Sequence, residues 1–219
     1  MQLLKSNSHG NGLEVYKGES DHYKIAHSLE GNAAIEREKQ GYDWIGQEVE
    51  YGTYDYRFIK VPTFSGKTFP LYNKITGNEM YIKQLIKYYQ IEWSKRKYAV
   101  HGDLALCNVI YGDEIHIVDW EHFHYAKPEY WGFDIVNMLF ILLQYEYRWL
   151  DLGFNWAAFV KPNTADFIMD CVLSLGNKRF LNLPFTNCAW YINKYMNKNK
   201  FILGKQKQTI LESLDALAV

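Results

Sequence analysis

Cysteine is scarce in this chain. Cys107, Cys171 and Cys188 are the three among 219 residues. An odd number without close spacing builds neither a disulfide framework nor a tetrahedral zinc site. An excess of one charge is also missing: 24 Lys and Arg stand against 25 Asp and Glu, a formal net charge of −1. Without a basic tail or a long run of like charge, nucleic acid is not an expected partner. Long apolar runs are absent too. The most apolar stretch, near Ile135 to Leu143, is broken by Asn137 and is too short to span a bilayer. Met1-Gln-Leu-Leu-Lys-Ser-Asn leads into polar loop residues and does not form an apolar signal segment. The expectation is a cytoplasmic chain with no transmembrane segment. Internal repeats, low-complexity tracts and long flexible linkers do not appear.

What the chain has in quantity is aromatic side chains: 7 Trp, 18 Tyr and 12 Phe. These bulky residues build a core first. A wall for a sugar or a cationic amine is the minority use. Apolar residues at 48% and charged residues at 22% describe an ordinary globular protein, long enough for one large domain or two small lobes.

The chemistry concentrates in one segment. His101-Gly-Asp-Leu-Ala-Leu-Cys-Asn108 follows an apolar strand that starts at Tyr98, and Asp119-Trp-Glu121 follows the strand Ile115 to Val118. A hairpin over Asn108 to Tyr111 and Ile115 to Val118, turning at Gly112-Asp113, brings Asn108 and Asp119 to neighbouring strand ends. Two carboxylates and an amide so placed suit in-line phosphoryl transfer. Asp103 would take the proton of an attacking hydroxyl, while Asn108 and Asp119 would hold Mg²⁺ through hard oxygen donors.

Upstream, Leu13 to Lys17 and His22 to Ala26 read as strands. The polar turn Ser6-Asn-Ser-His-Gly-Asn-Gly12, with Ser8 and Gly10 at its centre, could lay backbone amides over phosphates. Asn32 to Gln47 reads as a helix with Asn32 as N-cap and Ala33, Ala34, Ile35, Gly41, Tyr42, Trp44 and Ile45 as a partly apolar face. Glu36 and Glu38 lie within it, and one of them could reach Lys24. Tyr54 to Val61 is strand-rich. Asn78 to Trp93 reads as an amphipathic helix whose core positions are Met80, Ile82, Leu85, Ile86, Tyr89 and Trp93. Tyr130 to Leu143 leads into an apolar helix, and further helices are expected near 144–159, 164–175, 186–197 and 204–217.

At His101-Gly-Asp-x-x-x-x-Asn108 and Ile117-Val-Asp119-Trp-Glu121 the sequence resembles the aminoglycoside phosphotransferase and choline kinase family, small-molecule relatives of the protein kinases. The resemblance continues at Trp131-Gly-Phe-Asp-Ile-Val-Asn-Met, at Leu13-Glu-Val-Tyr-Lys-Gly with Tyr23-Lys24-Ile, and at Glu38-Lys-Gln-Gly-Tyr-Asp-Trp-Ile45, so that it covers roughly residues 6–143. It implies an α+β, protein-kinase-like fold of two lobes: a trimmed β-rich lobe over 1–64 that binds nucleotide, and a helical lobe over 65–219 that carries the catalytic and metal-binding loops. It implies ATP and Mg²⁺ as cofactors and a small-molecule acceptor with a free hydroxyl.

By the same resemblance, Asp103 is the catalytic base and Asn108 and Asp119 are the Mg²⁺ ligands. Lys24 meets the nucleotide phosphates and is held by Glu38, with Glu36 as the second choice. Ser8 and Gly10 lie in the phosphate loop, and Phe58 to Val61 is the hinge. His101 and Asp134 brace the catalytic loop. Glu121, His122 and Trp131 are substrate candidates. Glu129, Glu146 and Asp151 among Tyr125, Tyr130, Tyr145, Tyr147, Trp149 and Trp156 could serve an amino alcohol, an aminoglycoside or a sugar. His116, His122 and His124 lack a fourth ligand at suitable spacing for a transition metal. The alternative to an enzyme is a pseudokinase that binds nucleotide or a partner without turnover.

Overall fold

The computed structural model describes residues 1–6, 12–53, 56–128, 131–146 and 161–176. Ser8 and Gly10, the expected helices near 186–197 and 204–217, most of the one near 144–159, and Glu129, Tyr130, Tyr147, Trp149, Asp151, Trp156 and Cys188 lie outside them. The protein is a mixed α and β structure with a small antiparallel sheet and several helices. Its contacts group into two compact units, each discontinuous in sequence: Met1–Thr68 with Asn108–His124, and Phe69–Cys107 with Tyr125–Val219. The sequence expectation, 1–64 and 65–219, divides the chain once, after residue 64.

The first unit is built on a five-stranded sheet of β1 (Gln2–Ser6), β2 (Leu13–Lys17), β3 (Asp21–Ala26), β4 (Glu50–Thr53) and β5 (Arg57–Pro62) in the order β1-β2-β3-β5-β4. All neighbours run antiparallel, so β3 is central and Lys24 sits between Val15 on one side and Ile59 on the other. The chain leaves the 7–11 segment at Gly12, whose φ of 69° lies in the left-handed region. A β-carbon there would come within 2.5 Å of the Ser28 hydroxyl, so glycine is required on both counts.

Helix α1 spans Leu29–Ile45. It begins a turn before the expected Asn32, because the Ser28 hydroxyl accepts the Gly31 N–H at 2.9 Å and caps the helix there. The Asn32 amide is used differently: its oxygen accepts the Arg57 N–H at 3.3 Å, tying the helix to β5. Ala34, Ile35, Glu38, Gly41 and Tyr42 form the buried stripe at helical spacing, while Ala33, expected on it, is exposed. Gly46, with φ 81°, closes the helix with its N–H on Asp43 and Tyr42 carbonyls.

The hairpin of β7 (Val109–Tyr111) and β8 (Ile115–Ile117) completes this unit, with β6 (Ala99–Val100) preceding it in the chain. It joins the 65–68 segment through paired bonds between Lys67 and Tyr111, at 2.8 and 3.0 Å.

In the second unit, α2 (Glu79–Ser94) buries Ile82, Leu85, Ile86, Tyr89 and Trp93, a continuous helical stripe. Each such side chain contributes about 1.5–3 kcal/mol on burial. Met80, expected among them, is 57% exposed. Two residues before Ile82 is about 200° around the helix, on the opposite side. Trp93 stacks on Tyr89 at 4.4 Å and donates its indole N–H to Ala99 O at 2.9 Å. Helix α3 (Phe133–Glu146) buries Phe133 through Leu139 without interruption, as a helix enclosed on all sides does. Helix α4 (Pro162–Ser174) starts with Pro162 in its first turn, where the missing N–H costs nothing, and α2 meets it through Gln90 donating to Ser174 O at 2.7 Å. No described helix is long and apolar enough to cross a membrane.

Candidate phosphate- and metal-handling residues

Lys24 lies at the middle of the central strand with its ammonium buried under α1. Glu38 meets it at 2.8 Å and is 1% exposed, and Asp119 meets it from the end of the hairpin. Glu36 does not serve here: it accepts from Arg57 at 2.7 Å and from the Tyr51 hydroxyl at 2.8 Å. The helical register explains the choice. Glu38 falls on the buried stripe with Ala34 and Tyr42, while Glu36 falls to its side.

The electrostatics follow from burial. Desolvation alone would lower the Lys24 pKa, but Asp119 and Glu38, with Glu121 behind them, raise it well above its usual value. Lys24 is therefore a fixed cation. Glu38 is pushed up to about 7 by burial, against the pull of Lys24 and with the help of the like charge on Asp119.

Asp119 carries a further mark. Its φ is 67°, the one non-glycine residue in the left-handed region among the described residues. Such a conformation costs about 1–3 kcal/mol and persists only where the surroundings impose it. The Val118 N–H donates to Asn108 O at 3.0 Å, extending the hairpin ladder and placing Asn108 across from the residue before Asp119. Asn108 is buried, and the Asp119 side chain is 38% exposed. An amide oxygen and an accessible carboxylate are the hard donors Mg²⁺ accepts, and two protein donors suit an ion that keeps water and phosphate oxygens in its remaining positions. Among the described residues no three His, Cys, Asp or Glu side chains are grouped as metal ligands.

Glu121 lies 3.5 Å from the buried His122. His124 shares a contact with His122 O at 3.1 Å, and His116 stacks on Phe64 at 4.0 Å. Val61 is buried on β5 opposite His22.

The second unit holds the other half of the motif. Asp134 is fully buried, and its two carboxylate oxygens accept the N–H groups of His101 and Gly102, each at 2.9 Å. The His101 ring accepts the Asp103 N–H through Nδ1 at 3.2 Å. Two successive N–H groups thus converge on one carboxylate, His101 holds the third, and Gly102 makes the turn at φ 84°. Burial raises the Tyr145 pKa, with contributions from Tyr72, Cys107 and Asp103, so that hydroxyl lies within electrostatic reach of Asp103. Trp131 packs between Tyr89 and Tyr98 and donates to Leu175 O at 2.9 Å. Glu146, offered by sequence as an amine-binding carboxylate, accepts the Ile75 and Thr76 N–H groups at 3.0 and 3.2 Å and the Thr76 hydroxyl.

Sequence reasoning missed Arg37 altogether; it placed Gly41 on the apolar face of the helix, where it is buried, but did not see what approaches it. Arg37 Nε donates to Glu121 O at 2.7 Å, and Gly41 lies against Trp120. Only the glycine inside a helix was a signal, since it weakens the helix unless something must approach there.

No protein-family model and no curated protein matches the chain. Among solved structures it is similar to the choline kinase LicA from Streptococcus pneumoniae, with 10% sequence identity and a TM-score of 0.36 over 99% of this chain and 94% of that one. A likeness at that level carries neither a fold nor an activity over to this chain.

Proposed function

We propose that the protein is a small-molecule kinase that transfers the γ-phosphoryl group of ATP, as its Mg²⁺ complex, to an acceptor hydroxyl. The observation that carries this reading is the buried Lys24 ammonium held jointly by Glu38 and Asp119. A lone structural lysine has no need of two carboxylates, and burying the Lys24 and Glu38 charges together is costly unless the arrangement serves something else. In this reading Lys24 neutralises nucleotide phosphate charge, and Glu38 keeps its ammonium in place when phosphates compete for it. Asn108 and Asp119 would hold Mg²⁺, which supplies charge neutralisation on the transferred group.

Asp103 would orient the acceptor hydroxyl and take its proton, with His101 and Asp134 fixing the loop that carries it. Val61 with the rest of 58–61 would be the hinge beside the base. Glu121, His122 and Trp131 remain acceptor-side candidates, and Ser8 and Gly10 phosphate-loop candidates. The acceptor would be an amino alcohol or a sugar.

The test is Asp103→Asn. With ATP·Mg²⁺ and an accepted substrate, kcat should fall at least about 100-fold, the lower end for a general base, while ATP affinity stays within about threefold. Near-normal turnover would remove Asp103 from the reaction. Nucleotide binding without turnover in the wild-type chain would favour a pseudokinase.

A further inference from the structure

Helix α1 meets the Asp119-Trp120-Glu121 segment at successive points, besides the Lys24 ammonium that lies between Glu38 and Asp119. Arg37, half-buried, donates Nε–H to the backbone carbonyl of Glu121 at 2.7 Å. Gly41 lies so close to the Trp120 side chain that a β-carbon would fall 2.5 Å from its Cβ and 2.7 Å from its Cγ. Tyr42 packs edge-on to the same indole at 6.5 Å. Trp120 is fully buried and donates its own N–H to Ile117 O at 3.0 Å. Asp119 therefore sits between two anchors on its C-terminal side and the hairpin on its N-terminal side, and it is the residue with the strained backbone.

We propose that Arg37 and Gly41 are positioning residues, which dock the Trp120-Glu121 backbone on α1 and so hold Asp119 in its left-handed conformation with its carboxylate aimed for metal binding. The metal half of this inference rests on the proposed function. The backbone half rests on the contacts alone. Position 41 must be glycine because the indole root approaches the helix backbone directly, and a Cβ of Trp120 cannot swing aside as a side-chain tip could. Arg37 serves through its donor, so its task is a hydrogen bond to a carbonyl and not a charge on the nucleotide.

The test uses the full chain with Arg37→Ala, Arg37→Lys and Gly41→Ala. Amide hydrogen exchange across residues 118–123 is measured without metal or nucleotide, with α2 amides as an internal control. ATP binding is then titrated with Mg²⁺. Arg37→Ala should exchange about tenfold faster in that segment, with α2 unchanged, and should need about tenfold more Mg²⁺ for ATP binding, the loss of one charge-assisted bond. Arg37→Lys, which keeps a donor, should recover most of both. Gly41→Ala should reproduce both effects by displacing Trp120; should it fail to fold, the Arg37 pair still decides. A folded Arg37→Ala with wild-type exchange overturns the inference and leaves the proposed function standing. A wild-type chain that binds no ATP at any Mg²⁺ concentration overturns the proposed function and the metal half of the inference together.

Discussion

Glutamine in place of Glu38 removes one titration and little else, because the two side chains have nearly the same volume. In the wild-type fold burial pushes Glu38 up to about 7 from its usual 4.5. At 1.36 kcal/mol per pKa unit that gap corresponds to about 3 kcal/mol. The sign follows from proton binding. The folded state holds the Glu38 proton more tightly than the unfolded state, so this group imposes no cost below about pH 4.5. As pH rises toward 7 the unfolded chain gives up the proton first, and folding stability falls until both states are ionised. Lys24 remains cationic throughout, since Asp119 also lies against it.

Carboxylates and histidines far from Glu38 titrate alike in both proteins and cancel in the difference, which leaves Glu38 and the Asp119 and Glu121 carboxylates coupled to it. The stability of wild type minus that of Glu38→Gln should therefore fall by about 3 kcal/mol between pH 4.5 and pH 7.5. Urea unfolding of both proteins in chelator, at half-unit pH steps, measures it. A flat difference, or one that rises with pH, would mean that Lys24 outweighs burial at Glu38 and would refute the reasoning.

Two other substitutions or reactions bear on the second unit. Asp134→Ala should lower stability by about 2–4 kcal/mol in thermal unfolding, because two buried backbone N–H groups lose their acceptor; an unchanged Tm would show that the 101–103 loop folds without it. Cys171, buried and with its thiol pushed up to about 12, should resist alkylation at pH 8 while the partly exposed Cys107 is modified. Mass spectrometry of the labelled peptides reads this, and equal rates would contradict the burial assigned to α4.

The parts legible in sequence were those with local periodicity. The hairpin at 109–117, the stripe Ile82-Leu85-Ile86-Tyr89-Trp93 and the central strand bearing Lys24 all announced themselves by alternation or helical spacing. Boundaries were harder: Gly31 inside the first turn of α1 hid the cap at Ser28. The choice between Glu36 and Glu38 needed the register of that helix, which depends on where it starts. Arg37, Gly41 and Glu146 were not legible as they act, because each meets a partner more than 60 residues away that no spacing rule connects. The backbone conformation of Asp119 was equally invisible, since aspartate tolerates the left-handed region but does not require it.

The central claim is phosphoryl transfer, and product formation tests it most directly. Wild-type protein is incubated with ATP labelled in the γ-phosphoryl group, with and without Mg²⁺, against a panel of amino alcohols, aminoglycosides and sugars, and the products are read by mass spectrometry. The account predicts at least one acceptor carrying the labelled phosphoryl group, only with Mg²⁺, and not with Asp103→Asn. Bound ATP with no labelled product across the panel, or transfer that ignores both Mg²⁺ and Asp103, would contradict it.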